Sequence, residues 1–475
     1  MRDAAFFLVW VVLFPITFWS PHVGVLLWIW SALIAPGELL YGFMASVPYN
    51  RMIAVATMAT LLVSQERKRF YVDGTVVLLG LLATVATVSV LTPIVPSDAN
   101  DDLYEKLLKI LVLAFVVSGV MWSRYRLHAT ILAVCLAFGF DGVNEGLKFL
   151  ASAGGHKITG KNAIGDNNHF ALAILITMPL LVYAYKYSSW KTAKLCFLAV
   201  LICCIVMVVG SFSRGAFVGL VVFALMLLKN SSRKLVSFTL IAIGAVLVYS
   251  LAPDTWFSRV DTINTAAAGE DSSFAGRVIA WKISTLIALD HPLTGGGFHA
   301  VQRYPVWNYY RDHLGTLDFI ATPLATEFPK AAHSIYFEIL GDLGFVGLGL
   351  FLLLIATALR NARLLRRYAR RDPRQQWAAD LGSMLQISIV IYSVSGAALS
   401  MAYFETFYVL VIVLSRARRT VEDAMAQEPA QPVPAGPLVT PGQATFPGAR
   451  VREHEAAFAG HDGAQARQRN AAATR

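Results

Sequence analysis

Charge is scarce in this chain. Of 475 residues only 15% are Asp, Glu, Lys or Arg, 56% are hydrophobic and the mean hydropathy is +0.57. Soluble domains carry roughly 25% charged residues, so a soluble multi-domain enzyme is excluded. Disorder throughout is excluded as well, because it requires low hydrophobicity and high net charge. Cysteine is equally sparse. Cys135, Cys196, Cys203 and Cys204 all fall inside apolar runs without metal-ligand spacing, and read as small buried hydrophobes. There is no D-x-D, no H-E-x-x-H, no Cys/His cluster with ligand spacing and no G-x-S-x-G. Metal-dependent sugar transfer and a serine-elbow hydrolase therefore find no support, and no metal or cofactor is expected.

What the chain has instead is apolar runs, one after another, each near the roughly 20 residues that span a bilayer. From Gly74 onward they cover about 74–95, 106–122, 127–141, 168–186, 194–211, 214–229 and 234–252, then 334–359, 381–400 and 403–415. The net charge of +10 sorts by loop. More than half of the 40 Lys and Arg fall in alternate connections, at Arg67–Arg69, Arg124 and Arg126, Lys186–Lys194, Lys229–Lys234, Arg360–Arg374 and Arg416–Arg419. That is the positive-inside pattern of a membrane protein, so the charge reports orientation and not a nucleic-acid partner. The first 66 residues hold three apolar stretches (4–19, 23–46, 52–64), the middle one broken at Pro36-Gly37. Two crossings plus one interfacial or re-entrant stretch are favoured there. Trp19 and its neighbours offer no small-residue cleavage site, so the start reads as an uncleaved anchor.

The expected fold is thus an all-α polytopic membrane protein of about twelve transmembrane helices. A transmembrane bundle over 1–252 precedes an external loop domain over 253–333, with a helix from Phe274 to Leu289. C-terminal transmembrane helices follow over 334–420, and a Pro/Ala-rich disordered cytoplasmic tail over 421–475.

Three polar features stand at the external ends of runs: Arg214 in GSFSRGAFVGL, Arg277 in FAGRVIAWKIS and His333 in KAAHSIYFEILGDLG. Two guanidiniums and an imidazole at one membrane face suit a diphosphate, since Arg presents a rigid bidentate fork that stays charged. Each has a plainer reading: Arg214 snorkelling, Arg277 on a solvated helix face, His333 as a satisfied interfacial histidine. Lys157, Lys161, Asp166, Asn167 and Asn168, in HKITGKNAIGDNNHF, could bind sugar hydroxyls or phosphate, with helix capping as the alternative. Trp281 accompanies Arg277 as a substrate-binding candidate. Gly296 and Gly297 could cradle phosphate through backbone N–H groups, or form a plain turn. On a helical wheel Glu338 and Asp342 lie about 140° and 180° from His333, so helix-to-helix hydrogen bonding suits them better than orienting that histidine.

In their order, SRGA (Ser213 to Ala216), GRVIAWKIS with HPLTGGGF (Gly276 to Phe298) and HSIYFEILGDLGFVG (His333 to Gly347) resemble the O-antigen ligase and polymerase superfamily of bacterial inner membranes. GDNNHFALAI resembles an upstream feature of that family, and the first hundred residues are similar to O-glycosylation ligases of exosortase-type loci. The resemblance covers roughly 160–350. It implies a GT-C-type, multi-pass inner-membrane glycosyltransferase whose active site faces the periplasm and whose C-terminus is cytoplasmic. It further implies an undecaprenyl-diphosphate-linked glycan as donor and lipid A–core as acceptor, with membrane lipids as further partners and no nucleic acid. His333, Arg214 and Arg277 would be catalytic. A polymerase, or a ligase whose acceptor is a protein hydroxyl, is the alternative. A lipid-linked oligosaccharide transporter is the distant one, disfavoured because the polar candidates gather at one face and no repeat is visible.

Overall fold

A computed structural model describes residues 2–161, 163–231, 234–235, 238–239, 242, 272–317 and 328–427. The crossing expected over 234–252 falls largely outside the described residues, as do 253–271 and nearly all of the tail. Fifteen α-helices occur among the described residues, and no strand. They are α1 (Arg2–Ile16), α2 (Pro21–Ile34), α3 (Pro36–Leu39), α4 (Tyr49–Val63), α5 (Gly74–Leu91), α6 (Asp98–Val120), α7 (Arg124–Ala151), α8 (Asn167–Tyr187), α9 (Lys191–Gly210) and α10 (Arg214–Asn230). After the undescribed stretch come α11 (Ser272–Asp290), α12 (Tyr304–Arg311), α13 (Ile335–Arg371), α14 (Gln376–Ser395) and α15 (Glu405–Ala426).

Among the described residues six segments are long and apolar enough to cross a membrane: α5, α7, α8, α9, α13 and the stretch Pro373–Ala398 that contains α14. Helices α2 and α4 are shorter apolar helices. Their burial separates centre from rim. The most apolar window of α8 is 78% buried and that of α9 only 22%, so α8 is the axis of the bundle and α9 presents Leu195, Leu198 and Ile202 outward. A helix apolar on every side belongs inside other helices, which is where α8 lies.

Close packing is set by small residues. Gly142 and Gly146, one turn apart on α7, face Cys204 Sγ and the Cys203 carbonyl of α9, with no room for a Cβ at either. Helices in lipid approach by such small-residue seams, because the hydrophobic effect does not drive them together there. Cys135 and Cys204 are buried as expected of small hydrophobes, Cys203 is half-buried, and Cys196 is exposed on the outer face of α9.

Several helices outrun the apolar runs that announce them. Helix α6 begins at Asp98, capped by the Ser97 side chain, and α7 runs on to Ala151. The expected basic loop after residue 359 is instead a continuation of α13 to Arg371. The α2 break falls at Pro36 as expected, with Ala35 in the left-handed region.

Helix α13 is broken at Gly344 (φ 68, ψ −167). A broken helix exposes backbone groups that must find partners inside the protein. They are supplied by HPLTGGGF. The Gly296 N–H donates to the Gly341 carbonyl (2.8 Å), the Gly297 N–H to the Asp342 carbonyl (3.3 Å), and the Phe345 N–H to the Pro292 carbonyl (2.9 Å). Ser89 Oγ donates to the same Asp342 carbonyl (2.7 Å). Gly297 adopts φ 88, and a Cβ there would meet Pro93 and Asn100. Beside this junction α11, α12 and the turns between them bury a small core of their own, including Ile279, Ile283, Ile287, Val301 and Trp307.

Candidate functional site

The ends of α8, α9, α10, α13 and α14 meet at one end of the bundle. At the start of α8, Asp166 is the N-cap, its carboxylate accepting from the Asn168 and His169 backbone N–H groups (2.9 and 3.1 Å). It also pairs with His169 Nδ1 at 2.6 Å. Burial opposes ionisation of Asp166, but hydrogen bonds from the His169 ring and backbone outweigh it and hold the carboxyl well below its usual range. Asn167 Nδ2 donates to the Ser211 carbonyl at the end of α9 (2.7 Å).

Ser400, just past α14, joins two histidines. Its carbonyl lies 3.1 Å from His169 Nε2, and its Oγ accepts from the His333 backbone N–H at 2.9 Å. His333 is not helical. It precedes α13 with φ 44, a region that non-glycine residues seldom occupy without restraint. The restraint acts on the Ala332–His333 peptide unit from both ends: Ser400 holds its N–H, and Trp281 Nε1 donates to its carbonyl at 2.6 Å. The Trp281 ring stacks on Phe337 of α13, with centroids 5.1 Å apart and planes 10° from parallel.

Arg277 lies four residues before Trp281 on α11, one turn along the same face. Burial lowers the pKa of His333, and the positive charges of Arg277 and then His169 lower it further, while Asp166 pulls the other way. These influences favour the neutral imidazole, which has a proton-accepting nitrogen.

Arg214 is exposed at the first position of α10, whose N-cap Ser213 Oγ accepts from the Ala216 N–H (3.2 Å). Its neighbour Gly215 packs over Ser395 and Ala398, the turn that leads to Ser400. A cleft of about 340 Å³ opens beside it, lined by Lys157, Asp166, Asn167, Ser211 and Phe212 among others.

Residues 199–352 match the family model described as O-antigen ligase. This stretch is an O-antigen ligase domain. The ligase domain holds Arg214, Arg277, Trp281 and His333, and its family suggests a membrane enzyme of the O-antigen ligase/polymerase type. Residues 1–189 match a family of unknown function, DUF5935. No curated protein matches the chain. The site is thus composite, since Asp166 and His169 come from the N-terminal match and Ser400 from beyond the ligase domain.

Not every sequence candidate joins the cleft. Lys161 Nζ pairs with the nearly buried Asp141 of α7 at 2.5 Å and reaches the Ile34 carbonyl at 3.3 Å, which ties the α7–α8 connection to α2. Gly296 and Gly297 spend their N–H groups on the broken α13, so of the two readings, phosphate cradle or plain turn, the structure shows a turn that serves the helix carbonyls. Asn168 hydrogen-bonds within the Asp166 cap. Glu338 accepts from the Ala402 N–H (2.9 Å), and Asp342 from the His299 N–H and the Tyr403 hydroxyl (3.0 Å each), so both acids bond to loop residues and not, as expected, to another helix. His169 and Ser400 were missed. The i, i+3 spacing of Asp166 and His169 at a capped helix start was a usable signal, whereas nothing local marks Ser400.

Proposed function

We propose that the chain is an inverting, metal-independent glycosyltransferase that moves O-antigen glycan from undecaprenyl diphosphate to a sugar hydroxyl of lipid A–core. The observation that carries this reading is the restrained His333, its neutral form favoured, beside Arg277, at the end of the bundle where Arg214 and the Lys157–Asp166 cleft also lie.

In the reaction, a lone pair of the acceptor hydroxyl attacks the anomeric carbon as the bond from that carbon to the diphosphate oxygen breaks. The departing undecaprenyl diphosphate takes the bonding pair, and His333 takes the hydroxyl proton. Charge grows on the leaving oxygen only in the transition state, so cations fixed there lower the barrier more than they tighten donor binding. Arg277 and Arg214 fill that role. An attack from the face opposite the leaving group inverts the anomeric centre. Lys157 and Asn167 would contact the glycan in the neighbouring cleft. The active site would face the periplasm of the bacterial inner membrane, where no nucleotide activates the donor, and the C-terminus the cytoplasm.

The test is a deletion strain complemented with wild type or Arg277→Ala, its surface polysaccharide resolved by electrophoresis. The proposal expects the variant to lose the whole core-linked ladder while lipid-linked polymer accumulates. A surviving single-repeat band would make it a polymerase instead. Intact lipopolysaccharide with lost protein glycosylation would make the acceptor a protein.

A further inference from the structure

A second cavity, about 660 Å³, lies in the N-terminal region between α2, α4 and the 35–48 connection, with Lys109 of α6 at its edge. Neither the proposed chemistry nor the ligase domain uses it. Its wall is two-sided in character. Trp28, Ala32 and Val55 are apolar, while Arg51 and Lys109 bring two cations to the same space. No side chain caps the start of α4, where Pro48 is the N-cap, so the positive end of that helix also lines the cavity. Ser31, 1% exposed, lines it too, and its hydroxyl has no hydrogen-bond partner among the described residues. A buried hydroxyl left without a partner carries a cost that a ligand oxygen would remove.

Two acids stand in the same region, Glu38 in the cavity wall and Glu105 beside Lys109. Glu38 Oε1 accepts the Ala163 N–H at 2.6 Å, and Glu105 pairs with Lys109 at 2.6 Å. The second pair is exposed on both sides (58% each), and such a surface pair gives way easily to a better partner. The cavity is continuous with an outward apolar face. Val55 lines it and is 65% exposed, and Leu62, two turns along α4, is 80% exposed.

We propose that this cavity binds a phosphate-bearing anionic lipid, its headgroup held by Arg51, Lys109, the start of α4 and the Ser31 hydroxyl, and its chain laid along Val55 and Leu62. The site is separate from Arg277 and His333 but near their end of the bundle. Ala163, which lines the cavity, is three residues from Asp166, at most about 11 Å of extended chain.

Trp28 supplies the readout. The full chain is reconstituted in phosphatidylcholine vesicles containing either brominated phosphatidylglycerol or brominated phosphatidylcholine, and the quench attributable to Trp28 is taken as wild type minus Trp28→Phe. The expected result is half-quenching at much lower mole fraction of the anionic lipid. In R51Q/K109Q that preference should fall roughly 30-fold, two cations being worth a factor of about five each near a membrane surface. Both residues are at the surface, so the variant should remain monodisperse, and Arg277→Gln should keep the full preference. Equal quenching by the two lipids, or a preference unchanged in R51Q/K109Q, would overturn the proposal. Reversal of the quench by inorganic phosphate would overturn it too, assigning the site to a free anion.

Discussion

His333 sits on left-handed backbone, and Ser400 and Trp281 both hold the peptide unit that precedes it, one through its N–H and the other through the Ala332 carbonyl. Two outcomes follow at this scale. Trp281→Phe keeps the stack on Phe337 but removes the donor to Ala332, so kcat should fall roughly tenfold, the worth of one good hydrogen bond, with the pH profile unmoved. The profile itself is the second check. Burial, Arg277 and His169 lower the His333 pKa, so the basic form is complete above its ordinary value near 6.5 and is lost only as pH falls through the lower value. The plot of kcat/KM should be flat from pH 7 to 8 and bend down in acid, below 6.5, and in Arg277→Gln the bend should move up. A bend above 7 in wild type would assign the base to another group. At this scale the sequence singled out Arg214, Arg277 and His333, and all three lie at helix ends of one region. It did not separate Lys161 or Gly296 from them, because a buried ion pair with Asp141 and a docking turn on α13 are long-range facts.

Helix α13 and the HPLTGGGF loop are one device at the scale of elements. The break at Gly344 turns carbonyls 341 and 342 outward, and the glycine run answers with two N–H groups that no side chain obstructs. Gly344→Ala should cost about 1–3 kcal/mol for its φ of 68 alone, and more because a Cβ would press on the Pro292 and His291 carbonyls. A lowered Tm in detergent, without change of oligomeric state, checks this. If Gly344→Ala is as stable as wild type, the break is not held by the loop. On α7, Gly146→Leu should separate α7 from α9 and reduce folded yield more than Ala at exposed Leu147, which borders no such seam. Apolar runs announced the long described helices here, but not their lengths, and gave no sign of the short α3 and α12. Helices α6, α7 and α13 run past their apolar segments because capping serines and helical polar residues extend them beyond what hydropathy detects.

Across the whole molecule, the chemistry gathers at one end while matched ion pairs close the other. Arg126–Glu66, Arg418–Asp73 and Arg69–Asp423 engage basic residues that the sequence placed in alternate loops. Their distribution gave the alternation of the crossings, and their partners, far apart along the chain, could only be seen folded. The site likewise draws on residues 166–169, 214, 277–281, 333 and 400, so a domain excised as 199–352 should be inactive even if it inserts. The most direct measurement is glycan transfer by purified full-length protein, with undecaprenyl-diphosphate-linked glycan, lipid A–core and EDTA. Wild type should turn over in EDTA. His333→Ala should retain donor binding and lose roughly 10²–10⁴-fold in kcat, the usual worth of a general base. Full turnover by His333→Ala, or loss of donor binding alone, would contradict the assignment of His333 as the base, and abolition of wild-type activity by EDTA would contradict a transition state held by arginines.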